Sequence, residues 1–165
     1  MNRLAKAFKE LSAAERRYVH LRLGEYALFK WDEYCASHRQ INYIESVCGT
    51  HQTVDIELLT DAFYAACRGH DTRNVACRFQ EPILAMQDDD FTFPESVEYA
   101  YYALYNLFKR YAEQKKVDDW LVVNQILSAE MNEVKRRSLL ETVIQQARHL
   151  ASAPEHDWQP IDFED

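Results

Sequence analysis

The sequence predicts an all-α protein, and three observations carry that expectation. Only three glycines and four prolines interrupt the 165 residues, so the tight turns that a many-stranded sheet needs are scarce. Leu, Ala, Glu, Arg and Gln, which lose little rotamer freedom in a helix, fill long unbroken runs. Apolar residues recur at i, i+3 and i+4 through most segments, the spacing that lines one helical face. Together these read as a compact bundle of about six to eight helices, a single domain over residues 1–153 with an acidic tail over 154–165. A chain of this length buries roughly 70% of its unfolded surface, so its core needs no metal or disulfide.

The elements follow in order. Leu4, Ala7, Phe8 and Leu11 share one side of a short first helix over Arg3 to Leu11. Ser12-Ala-Ala-Glu15 is a capping box, in which hydroxyl and carboxylate satisfy the open N–H groups of a helix start. It opens a second helix over Ala13 to Cys35, with Tyr18, Leu21, Leu28 and Trp31 on a shared face and Gly24 as a close approach or a break. Ile41, Ile44, Val47 and Cys48 suggest a third helix over Gln40 to Cys48, ending at Gly49. A fourth begins at Thr53 or Asp55 and runs to Gly69, and a fifth runs from Asp71 or Thr72 to Met86, split or kinked near Glu81 by Pro82.

Asp88-Asp89-Asp90 is an exposed acidic loop leading into the stretch expected to be central, a tyrosine-rich helix over about residues 94–113. Pro94 suits its first position, and Glu95 and Glu98 complement the positive end of its dipole. Val97, Tyr101, Leu104, Tyr105, Phe108 and Tyr111 line one face, widened by Tyr102, Ala103 and Leu107, so contact on several sides is expected. Lys115-Lys116 reads as its basic end and Asp118-Asp119 as the acidic start of the next helix. From there Trp120, Val123, Leu127, Met131 and Val134, then Leu140, Val143, Ile144, Ala147 and Leu150, keep apolar spacing as one long helix or two joined near Ser128. Pro154 ends it, and Trp158, Ile161 and Phe163 are the residues through which the tail could lie back on the body.

Composition narrows the function classes. The formal charge is −8, with five acids and no Lys or Arg in residues 154–165, so the rest of the chain carries only −3. That distribution disfavours nucleic acid, which selects a basic face, and suits a basic partner. No apolar run approaches the roughly 18 to 20 residues of a membrane span, and MNRLAKAFKE reads as an amphipathic helix rather than a secretion signal. The expectation is a cytoplasmic protein, with four cysteines in no disulfide-framework spacing.

Three pairs, Cys35 with His38, Cys48 with His51 and Cys67 with His70, share a C-x-x-H spacing, with Cys77 nearby. Thiolate and imidazole are zinc's preferred ligands, and residues three apart share a helical face. Equally, each pair falls near an expected helix end, where Cys turns inward and His meets the negative end of the dipole. The second reading is preferred, so no metal and no cofactor are expected. Phosphate loops, nucleophile elbows and zinc-protease helices are all missing from the sequence, and the chain is not expected to be an enzyme.

GEYALFKWDEYCASH (residues 24–38) and FQEPILAMQDDDFTFPESVEYAYYALYNLFKRYAE (residues 79–113) resemble a family of small bacterial all-helical proteins of unknown function. RQINYIESV (residues 39–47) is similar to a stretch of the helical immunity proteins that neutralise type VI secretion effectors, and Ala100-Tyr101-Tyr102 echoes a second motif there. That resemblance implies a toxin-blocking protein whose partner is a cognate toxin or effector. The partner-binding candidates are Asp88, Asp89, Asp90, the exposed Glu95 and Tyr99 beside them, and Asp157, Asp162 and Glu164 of the tail. Acidic complementarity and tyrosine anchors are what such interfaces use. A monomer or homodimer is expected, and the alternatives are a Cys/His metal-binding protein, possibly with an activity, or a homo-oligomeric scaffold.

Overall fold

A computed structural model of the chain describes residues 2–37, 43–47, 50–54, 65, 93–154, 157 and 163. Among them are five helices: α1 (Asn2–Lys9), α2 (Ala13–Ser37), α3 (Glu95–Tyr111), α4 (Asp119–Ser128) and α5 (Glu133–Leu150). Among the described residues the buried core comes chiefly from these helices, in keeping with the all-α expectation.

The local start signals act as their chemistry dictates. Glu15 N–H donates to Ser12 Oγ at 3.2 Å and Ser12 N–H to Glu15 Oε2 at 2.7 Å, the reciprocal capping box that opens α2. Hydrogen bonds from the Ser12 backbone and side chain hold the Glu15 carboxyl below its usual range. Asp118 Oδ1 accepts from the N–H groups of Trp120 and Leu121 at 2.8 and 3.0 Å, and Asn132 Oδ1 from those of Val134 and Lys135 at 2.9 and 3.2 Å, capping α4 and α5. Pro94 stands one place before its expected position, as the residue preceding α3, and its carbonyl accepts from Val97 and Glu98.

Among the described residues α2 is the element that packs against α3, α4 and α5. Its burial explains this: Tyr18, Val19, His20, Leu21, Arg22, Leu23, Tyr26, Ala27, Leu28 and Trp31 are all buried, which leaves little of that stretch for solvent. Gly24 is buried mid-helix and does not break it. Trp31 stacks against Tyr101 of α3 with ring centroids 5.2 Å apart and meets Phe93 edge-on at 5.8 Å. Tyr18 donates to Gln146 of α5 at 3.2 Å and Asn106 of α3 to Gln125 of α4 at 2.8 Å, pinning helix pairs that apolar packing brings together.

Several expectations are corrected. Residues Tyr43–Val47 form a strand, β1, paired antiparallel with β2 (Thr50–Val54), with Val47 opposite Thr50 and Tyr43 opposite Val54. The third helix over Gln40 to Cys48 and a fourth beginning at Thr53 are therefore both displaced by a hairpin. Tyr43, Ile44, Val47, Thr50, Thr53 and Val54 are residues that suit a pleated ladder, and pairing between two such runs outweighs an apolar spacing only a few residues long. Of the helices expected beyond it, through Met86, only Ala65 is described, and it is helical; the acidic loop lies outside the described residues.

Of the two arrangements expected for the long C-terminal run, it adopts two helices: α4 ends at Ser128 with Ala129 as its C-cap, and Asn132 starts α5. α3 ends at Tyr111, before Lys115-Lys116, and its basic last-turn residues are Lys109 and Arg110. Past that end Gln114 adopts φ 54°, the left-handed conformation that usually falls to glycine.

Candidate binding surface and the buried histidine beside it

The start of α4 gathers a polar network that joins three helices. His20 of α2 is fully buried, with Nδ1 2.6 Å from the Tyr111 hydroxyl and Nε2 2.9 Å from the Asp119 carbonyl. A carbonyl can only accept, so Nε2 carries the proton and Nδ1 accepts from the tyrosine. Burial in apolar surroundings lowers the His20 pKa and keeps the ring neutral, against the raising effect of its bond to Asp119. Both ring nitrogens are thereby used. The histidine is a tie joining α2, the end of α3 and the start of α4, and it has no lone pair left to act as a base.

Asp119 is the hinge of this network. Its carboxylate accepts from Arg110 Nε at 3.2 Å and faces Arg16 at 3.8 Å, while its backbone holds His20. Phe8 packs on the ring with centroids 5.7 Å apart, and Trp120 lies in turn 5.6 Å from Phe8. A cavity of about 230 Å³ opens beside them, lined by Phe8, Lys9, Arg16, Val117, Asp118, Asp119 and Trp120.

Trp120 also walls a larger groove of about 510 Å³ between α1, α4 and the start of α5, lined by Ala5, Asn124, Leu127, Ser128, Met131, Glu133 and Arg136. Three large apolar side chains face solvent: Met131 at 63% and Val134 at 78% exposure at the corner between α4 and α5, and Leu121 at 46% in the first turn of α4. The apolar spacing that counted Met131 and Val134 toward a buried face fails here, because the Asn132 cap restarts the helix in a new phase. Asn132 followed by Glu133 was the readable signal for that restart.

The corner is held from beneath by Glu130. Its carboxylate accepts from the Tyr26 hydroxyl at 2.6 Å and the Asn132 N–H at 2.7 Å, and its carbonyl accepts from Arg136 Nε. Partial burial works against the charge, yet those bonds and the nearby Lys30 and Lys135 hold the Glu130 carboxyl below its usual range. Burial and the same carboxylate push the Tyr26 hydroxyl well up. Glu130 is thus a fixed, charged acceptor, and it supplies no proton near neutral pH.

The residues nominated from sequence do not converge in what is described. Glu95 is exposed in the first turn of α3, whereas Tyr99, expected to be exposed, is half-buried against the core. The reason is phase: Tyr99 stands one turn before the buried Ala103, at the edge of the core-facing side of the helix. Asp157 is exposed, and its N–H donates to the Pro154 carbonyl at 2.9 Å. Asp88, Asp89, Asp90, Asp162 and Glu164 lie outside the described residues.

Of the C-x-x-H pairs, Cys35 sits in the last turn of α2 and His51 on β2. The helix-end explanation therefore fails for the Cys48–His51 pair, whose histidine is on a strand. The remaining Cys and His of the three pairs lie outside the described residues, among which no group of three or more His, Cys, Asp or Glu could hold a metal. No helix among the described residues is long and apolar enough to cross a membrane.

The geometry defines a helical bundle with an apolar corner turned to solvent. No protein-family model matches the sequence, and neither the curated proteins nor the solved structures give a match.

Proposed function

We propose that the chain is an immunity-type binding protein, which neutralises a cognate bacterial toxin or effector by direct contact. The observation that supports this most is the α4–α5 corner, where Met131 and Val134 stand in solvent beside a groove that Trp120 also walls, with Leu121 exposed at the start of α4. Tryptophan and methionine are enriched at the centres of protein interfaces, and large exposed apolar groups carry a solvation cost that a partner removes. The capped helix ends and the buried His20 tie hold this corner in place before any partner arrives, which lowers the ordering cost of binding. In this reading the acidic loop Asp88–Asp90, Glu95 and the acidic tail add charge complementarity around the rim. The chain acts in the cytoplasm as a monomer or homodimer, without cofactor or nucleic acid, on a bundle of six to eight helices of which the tyrosine-rich α3 is a principal wall.

Tagged protein recovered from the native host, followed by mass spectrometry, should return one secreted-effector fragment in stoichiometric amount. The purified chain should then abolish that fragment's toxicity at a one-to-one ratio. Recovery of no effector, or of one whose toxicity is unaffected, overturns the proposal. Affinity unchanged by reversing the charge of Asp88–Asp90 together with removing the tail would exclude the acidic rim alone.

A further inference from the structure

One face of α2 receives an aromatic ring from the tail, on residues of which Tyr26 also belongs to the core. Tyr26 and Phe29, three residues apart, present their rings side by side with centroids 6.4 Å apart. The Lys30 ammonium lies over both, 5.7 Å from the Tyr26 centroid and 5.6 Å from that of Phe29. Phe163, from the far end of the tail, is seated on this platform, edge-on to Tyr26 at 5.3 Å and tilted against Phe29 at 5.8 Å. In the sequence Phe163 is flanked by Asp162 on one side and by Glu164 and Asp165 on the other.

We propose that the Tyr26–Phe29–Lys30 face is a docking site for an aromatic side chain carried on an acidic protein segment, which the chain itself occupies with Phe163. The ring supplies the affinity, since an edge-on and a tilted aromatic contact to a partly buried pair exclude water from three rings at once. Lys30 supplies the selectivity for acid. It already faces Glu33 Oε2 at 3.5 Å and is close enough to lower the pKa of Glu130, so an incoming carboxylate shares its charge and adds less than the ring does. A foreign segment of the same chemistry binds by displacing Phe163. This face shares the Tyr26–Glu130 hydrogen bond with the α4–α5 corner but is built from other side chains than those exposed there, and the proposal stands whether or not the partner is a toxin.

The test uses the full chain and a synthetic peptide of residues 154–165. A tethered anchor acts at an effective concentration on the order of 1 mM. If the free peptide binds the vacated site with Kd on the order of 0.1 mM, the wild-type chain, closed about ten to one, should bind it about tenfold more weakly than the Phe163→Ala chain. A peptide carrying Phe163→Ala should not bind either protein. Lys30→Met in the Phe163→Ala background should weaken binding by about two- to fivefold.

If the Phe163→Ala chain does not fold, fluorophenylalanine placed only at position 163 of the wild-type chain reads the same exchange. Its fluorine signal should move toward that of a free peptide as excess unlabelled peptide is added. Equal binding of the two peptides, no binding at 1 mM, or an unmoved fluorine signal overturns the proposal. Dimerisation that grows with concentration and vanishes in Phe163→Ala would put a second copy's tail on this face and overturn the assignment to a foreign segment.

Discussion

Acidification should destabilise this protein at a pH where carboxylates are still charged, because of one residue. His20 is fully buried, and its neutral ring is fixed between the Tyr111 hydroxyl and the Asp119 carbonyl. Burial holds its folded-state pKa below the ordinary 6.5. The unfolded chain therefore takes up a proton first as pH falls, so the stability linked to His20 is complete above about pH 6.5 and is lost progressively below it, down to the folded-state pKa. One proton bound only by the unfolded chain corresponds to a slope of at most about 1.4 kcal/mol per pH unit. The low-shifted carboxylates Glu15 and Glu130 contribute the same sign of effect, but only below their unfolded value of 4.5.

Urea unfolding at pH 7.5, 6.5 and 5.5, for wild type and for His20→Gln, isolates the residue by difference. Wild type should lose up to about 1 kcal/mol more than the variant between pH 6.5 and 5.5, the unfolded ring being half-protonated already at the upper pH. The hydrogen bond can be tested independently: Tyr111→Phe leaves Nδ1 buried with no donor, and should cost about 1–3 kcal/mol at pH 7.5. Nitrogen NMR of the ring should find the proton on Nε2. A wild-type pH slope identical to that of His20→Gln, or a proton on Nδ1, would refute the reasoning.

Three further outcomes follow from packing and capping. Trp31→Ala, which removes the ring stacked on Tyr101 and edged by Phe93, should lower unfolding free energy by about 3–5 kcal/mol in urea titrations, the range for a large buried aromatic. Asp118→Ala and Asn132→Ala should each cost about 1 kcal/mol by thermal unfolding, and since the two caps lie at different helix starts, the double variant should cost about the sum. Met131→Lys and Val134→Lys should leave stability within about 0.5 kcal/mol, because both side chains already face water, while weakening capture of the partner proposed above.

How much of this was legible in the sequence depends on the range of the interaction involved. Signals that act within one helical turn were read and acted as read. The Ser12–Glu15 box opens α2, Asp118 and Asp119 open α4, and Tyr101, Leu104 and Phe108 face the core, because a cap or a helical face is fixed by residues three or four apart. The Tyr43–Val54 hairpin was misread because the apolar spacing of a short segment fits helix and strand alike, and cross-strand pairing decides between them. Two β-branched runs separated by Cys48-Gly49 were the overlooked hint.

What the sequence determined by itself is the helical class, most of the helix starts, and the amphipathic faces that build the core, all properties of the local backbone and its nearest side chains. The tertiary structure decided the rest. Only packing showed that α2 meets three other helices, that His20 is trapped between Tyr111 and Asp119 some 90 residues away in sequence, and that Met131 and Val134 face solvent. It also brought Phe163 onto Tyr26 and Phe29. These relations join residues far apart along the chain, where no spacing rule applies, and they depend on how helices of fixed faces are rotated and turned against one another.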